Sequence, residues 1–221
     1  MTYAHRYADD SACTLPVGKV LCVGRNYAEH AKELNNPVPA EPILFIKPRT
    51  AIVPMQAPVA VPRAQGACHF ETEMAVLIGA PLKNATEVQV RAAIAGLGLG
   101  LDLTLREVQD GLKAKGLPWE KAKAFDGACP LSAFVKPEKV ADLADVRIRL
   151  VVNGEPRQDG NTADMLTPVL PLIAYMSTYF TLEPGDVVMT GTPKGVGPLN
   201  AGDALRVVLG ENLLIVETKA V

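Results

Sequence analysis

The chain has 221 residues, enough for one sizeable domain with a hydrophobic core. Its 48% hydrophobic and 21% charged residues exclude a disordered chain. With 22 Lys and Arg against 24 Asp and Glu the net charge is -2, so no basic excess points to nucleic acid and no cationic block points to a membrane surface.

Residues 1–10 are polar and charged and lack the apolar core of a signal peptide. The apolar run 92–101 stops at Asp102, far too short to span a bilayer as a helix. Cys13, Cys22, Cys68 and Cys129 are scattered with no CxxC pair, and read as free thiols in a reducing compartment. The cytoplasm is the expected location. Residues 1–16 read as a short, loosely attached leader and 17–221 as a single domain.

Residues 19–23 form an apolar run that reads as a strand. Asn26 is a fair N-cap for a helix over 27–34, which Asn35-Asn36-Pro37 ends. Residues 43–46 read as a second strand, followed by a stretch punctuated by Pro48, Pro54, Pro58 and Pro62. Residues 70–78 alternate and then become apolar, as a strand entering a core does. A short helix is expected over 86–91, then a buried, glycine-laced strand over 94–103, then an amphipathic helix over 104–115 with Leu105, Val108 and Leu112 on one face. Residues 146–152 alternate as a strand with Arg147 and Arg149 on a wet face, closed by an Asn153-Gly154 hairpin turn. A helix over 167–180 and strands over 187–189, 205–209 and 213–216 complete the pattern. Many short strands and few helices describe a β-rich α+β domain.

The most informative segment is His69-Phe70-Glu71-Thr72-Glu73. On one strand, His69, Glu71 and Glu73 share a face. Two carboxylates at a core edge repel, and a hard divalent cation relieves them. Asp102, closing a buried apolar run, is costly unless paired or bound to metal. Glu71, Glu73 and Asp102 therefore make a candidate three-carboxylate site. The competing arrangement, a solvated strand face with Asp102 capping the next helix, is the commoner one on spacing alone.

His30 and Glu33 lie three apart on a predicted helix and can hydrogen bond, as an acid–base pair does. An exposed polar helix face is the ordinary alternative. Lys121 and Lys123 share a face if their segment is extended, and two solvated lysines are again the commoner outcome. The loop 190–197, rich in glycine, suits presenting backbone N–H groups to an anion, without the spacing of a P-loop.

Taken together, these segments resemble the fumarylacetoacetate hydrolase family. The resemblance runs through Val23-Gly24-Arg25-Asn26-Tyr27, Leu44-Phe45-Ile46-Lys47-Pro48, the His69–Glu73 segment, Leu101-Asp102-Leu103-Thr104, Lys121-Ala122-Lys123-Ala124-Phe125-Asp126, Asn153-Gly154-Glu155 and Gly191-Thr192-Pro193-Lys194-Gly195-Val196-Gly197. Within the family the chain is most similar to the short acylpyruvase, oxaloacetate decarboxylase and oxaloacetate tautomerase members, and the large extra N-terminal domain of longer members is expected to be absent. The resemblance implies a mixed β-sandwich and barrel-like fold, a homodimer, and Mg²⁺ or Mn²⁺ on Glu71, Glu73 and Asp102. It implies His30 and Glu33 as the acid–base pair on a lid-like helix, Lys123 as a catalytic contact, and Arg25, Arg106, Gln109 and Thr192 as substrate-binding residues, with His69 supporting the site. The implied substrate is a small 2-keto acid that chelates the metal and forms an enolate at C3. Acylpyruvate hydrolysis, oxaloacetate decarboxylation and tautomerisation share that enolate. Isomerisation of 2-hydroxyhepta-2,4-diene-1,7-dioate, and a non-catalytic metal-stabilised binding protein, are the alternatives.

Overall fold

A computed structural model describes residues 3–62 and 64–221. In chain order the strands are β1 (Val20–Gly24), β2 (Ile43–Lys47), β3 (Ile52–Pro54), β4 (Cys68–Phe70), β5 (Thr72–Ile78), β6 (Ile94–Leu101), β7 (Thr104–Leu105), β8 (Cys129–Leu131), β9 (Arg147–Val152), β10 (Glu155–Asn161), β11 (Val187–Met189), β12 (Gly197–Pro198), β13 (Ala204–Leu209) and β14 (Leu214–Lys219). The α-helices are α1 (Ala28–Glu33), α2 (Glu87–Ala93), α3 (Arg106–Ala114), α4 (Glu120–Lys123) and α5 (Val169–Tyr179).

A mixed seven-stranded sheet runs β2-β1-β11-β5-β6-β8-β3, with β1/β11 and β3/β8 parallel. A four-stranded antiparallel sheet, β10-β9-β13-β14, packs against it through β9 on β5 and β13 on β6. A third sheet of three short strands, β12-β4-β7, caps one end of β5. The fold is the expected β-rich α+β arrangement of curled, packed sheets.

The seven-stranded sheet is covered on both faces, which accounts for the unbroken apolar run of β5. Met74, Val76 and Ile78 join one hydrophobic cluster with Leu150 and Val207, while Ala75 and Leu77 join a second cluster with Val20, Cys22, Leu131 and Met189. In β9, Ile148, Leu150 and Val152 are buried and Arg147 and Arg149 lie on the wetter face. The Asn153-Gly154 turn has φ of 54° and 83°, the pair of left-handed residues that a tight hairpin needs. In β6, a Cβ at Gly98 would come within 2.9 Å of Ser132 Oγ, so the close strand approach requires glycine there.

Several expectations are corrected. Asn26 does not cap α1; the N-cap is Tyr27, with no side-chain cap bond. The Asn26 side chain instead donates to Thr190 O at 2.9 Å and Thr167 O at 3.0 Å, and accepts from Thr167 N at 2.8 Å, tying two loops together. The helix expected from residue 104 begins at Arg106, because Thr104 and Leu105 pair with His69 and Cys68 as β7. The segment before β1 is not loose. Phe134 bonds Ala8 and Arg6 backbone groups at 2.8 Å, and buried His5 sets Nε2 2.9 Å from Gly185 O. Its Tyr3, Tyr7 and Leu15 cover the second cluster, an apolar face that would otherwise meet water. The sequence showed no clear periodicity for α4, β3, β8 or β10, all of them short or irregular.

Candidate active site

The site lies where three strand ends meet. The chain breaks its pairing at Glu71, between β4 and β5, and Glu73 is the second residue of β5. Thr72 pairs with Leu101 and Glu73 with Gly100, so β6 ends beside them, and the Asp102 N–H donates to Glu71 O at 2.8 Å. One carboxylate oxygen from each of Glu71, Glu73 and Asp102 lies within 4.8 Å of the others. The three residues are 5%, 1% and 1% exposed. The solvated-face arrangement, with Asp102 as a helix cap, is thereby excluded.

Two cations hold this cluster. Lys123 Nζ donates to Glu71 Oε2 at 2.8 Å, Asp102 Oδ2 at 2.6 Å and Thr104 Oγ1 at 2.7 Å. Arg106 donates to Glu71 Oε1 and, at 2.8 Å, to Gln109 Oε1. Lys123 reaches inward because its segment is helical, not extended. Lys121 and Lys123 diverge on α4, and Lys121 is exposed while Lys123 is buried.

The carboxylates are not equivalent. Burial alone would raise Glu71, but Lys123, Arg106 and His30 hold its carboxyl well below the usual 4.5. Glu73 has no cation within ion-pair reach among the described residues, and its one hydrogen bond comes from the Gly191 N–H at 2.6 Å. Burial, then the charges of Asp102 and Glu71, push Glu73 well above 4.5. Burial opposes the charge on Lys123, yet Asp102 and Glu71 raise its pKa above the ordinary 10.5.

The donor set fits a divalent cation. Three hard oxygens converge, Glu73 carries uncompensated charge when ionised, and Asp102 Oδ1 is buried without a hydrogen-bond partner. Lys47 Nζ approaches that atom to 2.8 Å, but without hydrogen-bond alignment. Glu71, Glu73 and Asp102 would hold the ion.

His30 faces the same cleft from α1, with Glu33 behind it. His30 Nδ1 lies 3.4 Å from Glu33 Oε2. Burial pushes the imidazole below its ordinary 6.5, against the pull of Glu71 and Glu33, so it is neutral at neutral pH. The glycine loop presents its N–H groups to anions, as expected, but the anions are this chain's own. Gly191 N binds Glu73, and Gly195 N binds Glu33 Oε1 at 3.0 Å. Gly191 must be glycine: its φ is 93°, and a Cβ would come within 2.7 Å of Asn26 Cβ.

These groups border one cleft. Arg25, His30, Glu71, Glu73, Asp102, Arg106, Gln109, Lys123 and Thr192 all line it, so nine of the ten expected site residues face one space and the tenth, Glu33, stands directly behind His30. His69 is not among the lining residues; it is half-buried beside Arg106, which adds to burial in lowering its pKa.

Two structural residues of the site escaped sequence reasoning. Lys47 is fully buried, and its Nζ reaches Lys123 O and, at 3.1 Å, Ala128 O in addition to Asp102. Gln158 accepts from Thr72 N at 2.9 Å and donates to Thr192 Oγ1 at 2.7 Å and Pro193 O at 2.8 Å, pinning the glycine loop to β5. The Lys at the end of an apolar strand was the available signal for Lys47. Gln158 sits among exposed polar residues and carried none.

The fold and cleft define an enzyme built around a buried carboxylate cluster. Residues 19–219 match the fumarylacetoacetate hydrolase C-terminal family, and the chain belongs to that family. It is 56% identical over 206 residues to the oxaloacetate tautomerase YcgM of Escherichia coli, covering 93% of this chain and 94% of the relative. A fumarylacetoacetate hydrolase family protein from Yersinia pestis superposes with a TM-score of 0.96 at 52% identity, over 99% of this chain and 100% of the other. The fumarylpyruvate hydrolase of Pseudomonas aeruginosa, solved with Mn²⁺ and pyruvate, superposes with a TM-score of 0.90 at 33% identity, over 100% of this chain and 97% of the other.

Proposed function

We propose that this protein is a Mg²⁺-dependent enzyme that acts on small 2-keto acids through their enolates, with keto–enol tautomerisation of oxaloacetate as its principal reaction. The observation that carries the reading is that the carboxylate triad and His30, backed by Glu33, line one cleft. The extensive identity to an oxaloacetate tautomerase supports it. The reading takes the cytoplasm as the compartment and a homodimer as the assembly.

Mg²⁺ on Glu71, Glu73 and Asp102, with Mn²⁺ as a substitute, would supply a Lewis acid for the keto oxygen and carboxylate of the substrate. The residues of the chain handle the proton. Glu33 accepts from His30 Nδ1–H and leaves Nε2 as the proton acceptor. Neutral His30 takes a proton from C3 of the keto form, the oxygen at C2 takes one from water, and the imidazolium gives its own back to water; enol to keto runs the same transfers in reverse. Lys123, Arg106, Gln109, Arg25 and Thr192 hold and orient the substrate, and Lys123 and Arg106 are already fixed by their own acid partners.

The fumarylpyruvate hydrolase neighbour favours a second reading, hydrolysis of acylpyruvates. There His30 deprotonates a water that attacks the C4 carbonyl. The C3–C4 bond then breaks, the acyl group leaves as its acid, and the departing pyruvate enolate takes a proton at C3. Loss of CO₂ from oxaloacetate breaks the same bond without water attack.

¹H NMR of the purified protein with oxaloacetate and with acetylpyruvate, each with Mg²⁺ and with EDTA, tests the reading. Metal-dependent acceleration of oxaloacetate keto–enol exchange is expected. Acetate and pyruvate from acetylpyruvate would establish the hydrolase, and pyruvate from oxaloacetate the decarboxylase. No metal-dependent change in either substrate would overturn the reading.

A further inference from the structure

The cations of the cleft differ in what holds them. Lys123 and Arg106 direct their donors at Glu71, Asp102, Thr104 and Gln109, and Lys47 directs its amine at Asp102 and backbone carbonyls. Arg25 and Lys113 line the same cleft and are committed to no buried acid.

Among the described residues the Arg25 side chain makes no ion pair or hydrogen bond, although it is half-buried. Its backbone is held at φ 59°, in the left-handed region, and the residue lines the cleft. Lys113 Nζ stands 5.8 Å from the centre of the Trp119 ring. Its one acid neighbour, Asp110 at 3.5 Å, is 62% exposed and therefore a weak, solvent-screened partner. Trp119 in turn closes on the backbone next to Arg25, since a Cβ on Gly24 would come within 3.2 Å of the indole. Residues 24–25, Trp119 and Lys113 thus form one wall. Burial, and then repulsion from Arg106 and Arg25, lowers the Lys113 pKa, as expected for cations gathered without enough acid. A concave wall with surplus cations and low-dielectric sides favours an anion.

We propose that Arg25 and Lys113 form a subsite for a second carboxylate of the substrate, so that the enzyme selects dicarboxylic 2-keto acids over 2,4-diketo acids that end in a neutral acyl group. This deepens the proposed function and rests on it. The first carboxylate and keto oxygen belong at the triad; the second carboxylate belongs at the Gly24–Trp119 wall.

The test is selectivity. The kcat/KM for oxaloacetate and for acetylpyruvate would be measured with Mg²⁺ for the wild type, Lys113→Gln, Arg25→Gln and Lys113→Arg. Lys113→Gln keeps the stem over Trp119 and leaves the left-handed backbone at Arg25 untouched, so it remains informative where Arg25→Gln misfolds. The oxaloacetate-to-acetylpyruvate ratio should fall about tenfold in Lys113→Gln, through a raised KM for oxaloacetate with little change in kcat, and Lys113→Arg should restore it. A ratio that is unchanged, or losses equal for both substrates, in a variant whose wild type is active would overturn the subsite alone. A wild type inactive on both substrates would overturn the proposed function and the subsite with it.

Discussion

The Gly195 N–H donates to Glu33 Oε1 at 3.0 Å and Oε2 at 3.2 Å, and so fixes the carboxylate whose Oε2 meets His30. The glycine loop and helix α1 are thereby coupled through one side chain. Glu33→Gln keeps the size and an oxygen for Gly195 but offers His30 Nδ1 a donor where an acceptor stood, which favours the wrong imidazole tautomer. Turnover should drop roughly a hundredfold or more, while Mn²⁺ affinity, read by electron paramagnetic resonance, stays within about twofold. Loss of both together would assign Glu33 to the metal site instead.

The pH dependence follows from His30. Its pKa lies below 6.5 in the folded protein, so it accepts protons throughout the neutral range. The kcat/KM for oxaloacetate should be flat near neutrality and fall with unit slope as pH drops through a value below 6.5. The native state binds fewer protons here than the unfolded one, so the same group removes stability as pH falls below 6.5. A limb that breaks above that value would contradict a buried, neutral imidazole.

Glu73 sets the metal's effect on stability. Its folded pKa is raised above 4.5, so without metal the native state keeps a proton that the unfolded chain loses, and stability from this group declines as pH rises past 4.5. Mg²⁺ reverses that cost. The Mg²⁺-induced rise in Tm should therefore grow from pH 5 to pH 8, reaching roughly 5–10 °C at a hundredfold excess over Kd, as read by differential scanning fluorimetry. Glu73→Gln mimics the protonated acid. It should leave the metal-free Tm within about 2 °C and abolish the Mg²⁺ shift.

Lys47 is a structural ammonium beneath the site, bonded to Lys123 O and Ala128 O and close to Asp102. Lys47→Met fills similar volume but removes the side-chain donor to Lys123 O and Ala128 O and the ammonium beside Asp102, which keeps its bond from Lys123. We expect a loss of about 2–4 kcal/mol, read by urea unfolding. A neutral outcome would mean that the buried ammonium contributes nothing net to stability.

Much of this architecture was legible in the residues because it follows from periodicity and turn chemistry. Alternation marked β9, Asn153-Gly154 marked its turn, and the apolar run marked β5. The site was legible in its residue types more than in its geometry. Glu71 and Glu73 share a strand segment in sequence, but nothing local shows that a break at Glu71 and the pairing of Thr72 with Leu101 bring Asp102 beside them. Asn26 looked like a helix cap because its type and place suited one; its true partners, Thr167 and Thr190, are remote in sequence. Lys123 looked solvated because a single helical turn, too short for a periodic signal, is what turns it inward. Gln158 was invisible for the same reason as Asn26: its bonds to Thr72, Thr192 and Pro193 exist only across the fold.

The carboxylate triad and the His30–Glu33 pair are expected together to move a proton at C3 of a 2-keto acid. Deuterium exchange at C3 of oxaloacetate in D₂O, followed by NMR, reads that transfer with Mg²⁺ alone, with Mg²⁺ and the wild type, with the wild type in EDTA, and with Mg²⁺ and Glu33→Gln. Rapid exchange is expected only for the wild type with Mg²⁺, with the EDTA and Glu33→Gln samples close to their protein-free backgrounds. Exchange by the wild type with Mg²⁺ no faster than Mg²⁺ alone would contradict it.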